Sequence, residues 1–97
     1  MASFVVLANF TDQGIRSVKD TLVRAEAFKE LAKAAGVTVK DMYWTLGQFD
    51  IVATCDAPDD ETATALSLSV GSFGNVKTQT LRAFSAQEMG KILGKVA

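Results

Sequence analysis

The spacing of hydrophobic positions changes period several times along this chain, and each change marks an element. Residues 3–10 (Ser-Phe-Val-Val-Leu-Ala-Asn-Phe) are apolar on both alternating faces, the pattern of a central strand covered on two sides. Thr11-Asp12-Gln13-Gly14 is a turn and helix start, with Thr11 or Asp12 able to cap. Beyond it Ile15, Val18, Leu22, Ala25, Phe28, Ala32 and Ala35 recur at three- and four-residue spacing. That spacing predicts one helix with one apolar stripe, ended by Gly36. Arg16/Asp20, Glu26/Lys29 and Glu30/Lys33 fall on its opposite side as modest ion pairs.

Residues 38–46 and 49–56 then alternate with period two around Gly47-Gln48, which suits a two-residue hairpin turn with glycine first. Such a turn sets the register. Leu46 faces Phe49, Trp44 faces Ile51 and Met42 faces Ala53 on the core side. Tyr43 opposite Val52, Thr45 opposite Asp50 and Asp41 opposite Thr54 share the other side. Pro58 fits a first helical position, with Asp59, Asp60 and Glu61 near the positive end of the helix dipole. Ala63, Leu66, Val70 and Phe73 form that helix's buried stripe, and Gly71 and Gly74 loosen its end. Residues 75–84 make a threonine-rich fourth strand. Ser85-Ala86-Gln87-Glu88 is a capping box opening a last helix, whose apolar side is Met89, Ile92, Leu93 and Val96.

The predicted order β-α-β-β-α-β-α has two β-α-β halves and no linker or repeat, so residues 1–97 are read as one domain. Right-handed crossovers favour an α+β, ferredoxin-like, four-stranded antiparallel sheet with both long helices on one face. The first strand is nevertheless apolar on both sides. Something must cover the second face, and a second copy is the economical answer, giving a homodimer or higher homo-oligomer.

Composition narrows the function classes. Hydrophobic residues make up 48% of the chain, enough for a packed core, while the net charge of −1 argues against nucleic-acid binding. The one cysteine, Cys55, cannot pair within the chain, and with no histidine there is no set of ligands for structural zinc. The start lacks the charged segment of a signal peptide, and no apolar run approaches the roughly 20 residues that span a bilayer. A cytoplasmic protein without membrane partner, metal or cofactor is the expectation.

Four segments carry a family resemblance: Thr11-Asp12-Gln13-Gly14-Ile15-Arg16; residues 39–47, including Tyr43-Trp44-Thr45-Leu46-Gly47; Ala57-Pro58-Asp59-Asp60-Glu61; and residues 74–84, Gly-Asn-Val-Lys-Thr-Gln-Thr-Leu-Arg-Ala-Phe. Through them the chain resembles the GYD-domain family along nearly its whole length. The family's name-giving signature is a glycine followed two and three residues later by tyrosine and aspartate. Here it stands as Gly47-Gln48-Phe49-Asp50, with phenylalanine in place of the tyrosine and its hydroxyl. The resemblance implies a dimeric α/β-barrel arrangement, sheet against sheet. Proteins of that shape include heme-related enzymes, cofactor-free oxygenases and plain binding proteins, so the shape ranks functions without selecting one.

Candidate chemistry is sparse. Asp50 with Thr45, Tyr43 and Asn9 is the best constellation, Gly47 belonging to the same turn. In a closed cleft between two sheets these groups could orient a small organic ligand, with Asp50 as proton acceptor. The ordinary alternative is that Asp50 bonds Thr45 or a turn amide and Tyr43 packs at an interface. Asn9 could face either side. Arg82, with Gln79 and Lys77, could contact an anion or form a rim. Trp44 and Cys55 fall on the core side, where packing and an inert thiol are the simpler readings. Met42 and Met89 read as core filler. Gly71-Ser72-Phe73-Gly74-Asn75 lacks the lysine of a phosphate loop and reads as a helix stop. Asp56, Asp59, Asp60 and Glu61 lack calcium-loop spacing. Heme could be ligated only by Tyr43, Cys55 or a methionine. A non-enzymatic binding or assembly module with a small-molecule cleft fits best, with a cofactor-independent oxygenase or isomerase of a small aromatic or dicarbonyl compound as the alternative.

Overall fold

In the computed structural model, which describes all 97 residues, strands β1 (Ala2–Phe10), β2 (Thr38–Trp44), β3 (Ile51–Ala57) and β4 (Val76–Ala83) form one antiparallel sheet in the order β2-β3-β1-β4. Helices α1 (Asp12–Arg16), α2 (Thr21–Ala34), α3 (Asp60–Ser72) and α4 (Ala86–Leu93) complete the chain, with a single 3-10 turn over Val18–Asp20. The fold is the α+β ferredoxin-like β-α-β-β-α-β arrangement plus a C-terminal helix. The chain's β-branched central runs become β1 and β3, the two interior strands.

The strand pairings sort the side chains into two faces. Beneath α2 and α3 lie Trp44–Ile51–Ala8–Thr78, then Met42–Ala53–Val6–Thr80, then Val39–Cys55–Phe4–Arg82, each row crossing β2, β3, β1 and β4. Phe4, Ala32, Val37, Cys55, Ala57, Ala63 and Leu66 form the core on that side. A bulge between Val39 and Asp41 puts Val39 on the core face, since the extra residue shifts the alternation by one.

Several expectations need correction. The single helix over residues 15–35 is broken into α1, the 3-10 turn and α2. Thr11 caps α1 through Gly14 N–H, and Gly14 is pressed against the Asn75 carbonyl, so the first turn follows the start of β4 rather than the axis of α2. Ser17 leaves the helical region at φ −115°, ψ 35°. Ile15, Val18 and Leu22 consequently lie exposed, and Ala25, Phe28, Leu31 and Ala32 carry the packing. Of the three ion pairs foreseen, Lys29–Glu26 forms, at 3.5 Å, while Arg16 donates to the Asp12 carbonyl instead.

The hairpin keeps its predicted register, Trp44 opposite Ile51 through Asp41 opposite Thr54. Its strands are shorter, so residues 45–50 form the connection, and Leu46, expected in the core, is fully exposed. Pro58 precedes the cap rather than opening the helix. Asp59 is the N-cap and accepts from Thr62 N–H at 2.7 Å. Phe73 and Met89, expected in the core, are largely exposed as each lies at or beyond the end of the packed sheet face. The capping box at Ser85 and Glu88 forms both reciprocal hydrogen bonds, at 3.0 and 3.1 Å.

Candidate functional site

The second sheet face carries no helix of its own. Continuing the strand register by one step beyond Ala8–Ile51 places Asn9 opposite Asp50, so one row runs Thr45–Asp50–Asn9–Lys77 across the sheet. Below it run Tyr43–Val52–Leu7–Gln79, then Asp41–Thr54–Val5–Leu81, then Thr38–Asp56–Ser3–Ala83. The centre is apolar, through Val5, Leu7 and Val52, flanked by exposed Tyr43 and Leu81. Polar groups gather at both ends of the strands. Period-two alternation produces this split, because each strand sends every other side chain to this face.

The upper end holds the candidate constellation. Asn9, Tyr43, Thr45 and Asp50 come together on this face, and Asn9's facing is decided by the pairing of β1. Two of the polar groups are already engaged. The Asp50 carboxylate accepts the Phe10 N–H at 2.9 Å, and the Thr45 hydroxyl donates to the Phe49 carbonyl at 2.5 Å. The Asp50 N–H donates to the Ala8 carbonyl, and Thr45 N–H to the Asp50 carbonyl. Asp50 therefore ties the connection between β2 and β3 to the end of β1. Gly47, at φ 110°, supplies the left-handed turn at the tip of that connection.

At the lower end Asp56 accepts from the Ser3 hydroxyl at 2.9 Å and pairs with Lys40 at 3.4 Å. The Ser3 hydrogen bond, with Lys40's ammonium second, holds the Asp56 carboxyl below its usual range. Thr54 donates to Asp41 at 3.1 Å.

Arg82 does not join this group. Antiparallel pairing with Phe4 turns it to the helix-covered side, where its guanidinium lies 5.6 Å from the Phe4 ring centre and 4.6 Å from that of Phe84. It pairs there with Asp60 at 3.9 Å and Glu88 at 3.6 Å, linking the starts of α3 and α4 to β4. Cys55 is buried on the same side, and burial pushes its thiol pKa up, with the Asp56 charge adding to the effect. Trp44 also faces the helices, and its indole N–H donates to Thr21 Oγ1 at 3.0 Å. Asp56, Asp59 and Asp60 are dispersed among Ser3 and Lys40, the α3 cap, and Arg82, and no group of three or more metal-ligating side chains gathers.

Two segments singled out by the family resemblance meet in space. Thr11 N–H and the Thr11 hydroxyl donate to the carbonyls of Asn75 and Gly74, at 3.1 and 2.5 Å. Gln13 donates to the Phe73 carbonyl and to Asn75 Oδ1, at 3.1 and 2.9 Å. These residues form a clasp between the two β-α-β halves, a structural role. One polar group escaped the sequence pattern altogether. Arg24 Nη2 donates to Ser17 Oγ at 2.5 Å, while its Nη1 is buried with no partner. The available signal was a charged residue at the i, i+4, i+7 spacing of Phe28 and Leu31.

The GYD-domain family model matches residues 4–93. A glutamine synthetase and cystathionine beta-lyase binding protein of Thermus thermophilus is 36% identical over 90 residues, covering 92% of this chain and 95% of that protein. Among solved structures, TTHA0845, also from Thermus thermophilus, superposes with a TM-score of 0.58 at 25% identity, covering 89% of this chain and 96% of that one. FFRP-DM1 superposes with a TM-score of 0.59 at 17% identity, over 87% of this chain and all of that one, and so bears on the fold alone.

Proposed function

This chain belongs to the GYD-domain family, and on that footing we propose that it is a non-enzymatic, homo-oligomeric binding module, working in the cytoplasm, that pairs through its open sheet face and docks on a larger protein. The carrying observation is surplus surface. The isolated chain exposes 6513 Å², against roughly 5,400 Å² for a compact monomer of its mass. Its radius of gyration is 14.5 Å, against about 12.5 Å for a domain of this length. The excess, roughly 1,100 Å², is more than the roughly 800 Å² that each partner contributes to a standard interface. Val5, Leu7, Val52, Tyr43 and Leu81 offer an apolar centre with a polar rim, the anatomy of such a surface.

The engaged polar groups favour binding over turnover. An enzymatic reading needs Asp50 as a proton acceptor, and one of its two carboxylate oxygens, Oδ2, already holds the Phe10 amide. A small organic ligand in the sheet–sheet cleft would meet Asn9, Tyr43 and Lys77 rather than Arg82. The relative named for binding glutamine synthetase and cystathionine beta-lyase makes those two enzymes the first partners to try. No helix is long and apolar enough to cross a membrane.

Sedimentation equilibrium of the wild type and Leu81→Glu, followed by capture of purified glutamine synthetase and cystathionine beta-lyase on the immobilised protein, tests this reading. A wild-type oligomer dissociated by Leu81→Glu, together with retention of either enzyme, is the expected result. A monomeric wild type overturns the assembly, and retention of neither enzyme overturns those partner assignments.

A further inference from the structure

We infer that the C-terminal helix α4 of one copy seats its apolar stripe in the groove between α2, α3 and the sheet of a second copy. The contact lies on the opposite side of the sheet from the proposed assembly face and does not depend on it. α4 is an eight-residue helix with no buried residue. Met89, Ile92, Leu93 and Val96 follow the i, i+3, i+4, i+7 spacing of one helical face. Yet Met89, Leu93 and Val96 are 44%, 58% and 67% exposed. Isolated helices shorter than about 12 residues are marginal in water, and tertiary packing supplies most of their stability. The stripe therefore calls for a cover. Beside it Ala86 and Gly90 are small, and nothing lies within 4 Å of a Cβ placed on Gly90, which leaves another surface room to approach the helix backbone.

The groove is the matching surface. α2 packs over β2 and α3 over β4, and the two helices close over the core at Ala32, Ala63 and Leu66. Between the N-terminal half of α2 and the end of α3 a cavity of about 590 Å³ stays open. Val6, Ala8, Ile51 and Ala53 form its floor, with Phe28 and Val70 on the helix side. An apolar trough between two helices accepts the anchors of a third, amphipathic helix. Charge agrees with this occupant. Glu30 on the groove lining and Lys91 and Lys95 on α4 are exposed, opposite in sign and without an ion pair inside the chain.

A chain cannot fill its own groove. α4 begins two residues after β4 ends, and Arg82 holds its Glu88 beside Asp60 at the start of α3. The groove opens toward the other end of the strands, at Phe10, Thr78 and Phe73. The occupant is therefore the α4 of a second copy. The surplus surface of roughly 1,100 Å² also exceeds what one standard interface covers, which leaves area for this second contact.

Sedimentation equilibrium of the full-length protein tests the assignment, with Leu81→Glu used to remove sheet pairing. Leu93 lies on the α4 stripe and Ala27 lines the groove, and both are exposed. Leu93→Glu and Ala27→Trp therefore leave the core intact, which far-UV circular dichroism checks. We expect Leu81→Glu alone to reduce the wild-type oligomer to pairs. Adding either Leu93→Glu or Ala27→Trp should halve that mass again, to the monomer. A monomeric Leu81→Glu protein overturns the α4 seat and leaves the sheet pairing standing. Pairs that survive the added Leu93→Glu overturn it as well. Pairs lost with Leu93→Glu but kept with a folded Ala27→Trp overturn the groove as the seat, since α4 would then pack on another α4. A wild-type mass that Leu81→Glu leaves unchanged, while Leu93→Glu and Ala27→Trp each lower it, supports the α4 seat and overturns the sheet pairing.

Discussion

Gly14 lies so close to Asn75 that a methyl group on it would sit 1.9 Å from the Asn75 carbonyl oxygen. This contact, between α1 and the residue just before β4, joins the two halves of the fold. Gly14→Ala must push that backbone away, and we expect a loss of at least about 1–3 kcal/mol, the usual cost of overpacking. Gly71, in the last turn of α3, meets nothing within 4 Å, so Gly71→Ala should gain about 0.5–1 kcal/mol from helix propensity. Urea unfolding of the two variants gives opposite signs if the contact governs the first.

Asp50 is expected to act as a backbone anchor. Removing its carboxylate in Asp50→Ala leaves the Phe10 N–H without its partner, at a cost of about 1–3 kcal/mol. Asp50→Asn retains an acceptor oxygen and should lose less. Chemical denaturation separates them, and equal losses would show that the Phe10 hydrogen bond is not what Asp50 contributes.

Asp56 gives the acid dependence of stability. Its folded-state pKa is lowered, first by the Ser3 hydroxyl and then by Lys40. The stabilisation is therefore complete above the unfolded value, about 4, and is lost as pH falls through the lower folded value. Asp56→Asn should be less stable than wild type near neutral pH, and the gap should close progressively below about pH 4. Urea midpoints of both proteins across that range provide the measurement, a gap independent of pH being the contrary result.

Cys55 should be chemically silent in the folded protein. It is buried, and its pKa is raised by that burial and by Asp56, so the reactive thiolate is scarce. Ellman's reagent is expected to label it only on denaturation. Rapid labelling of the native protein would mean that the sheet beneath α2 and α3 opens locally.

The hairpin register, the Thr11 and Ser85 caps and the assignment of Trp44 and Cys55 to the helix side are all legible along the chain. Each depends on residues within a turn or two of one another, or on strict alternation about Gly47. The engagement of Asp50 was half legible: a turn amide was a natural partner, but the amide is Phe10's, 40 residues away.

What the amino-acid sequence determined by itself is local: period, caps, turn and the two faces of each strand. Which face of β4 meets the helices was decided by its pairing with β1, and that pairing moved Arg82 away from Asn9 and Asp50. The break at Ser17 was decided by a glycine meeting a carbonyl 61 positions later. The cavity beneath α2 and α3 arises from how those two helices sit on the sheet. Periodicity records which side of an element is apolar, whereas the distance between two packed elements is a property of the volumes that meet there, and only the tertiary structure brings those volumes together.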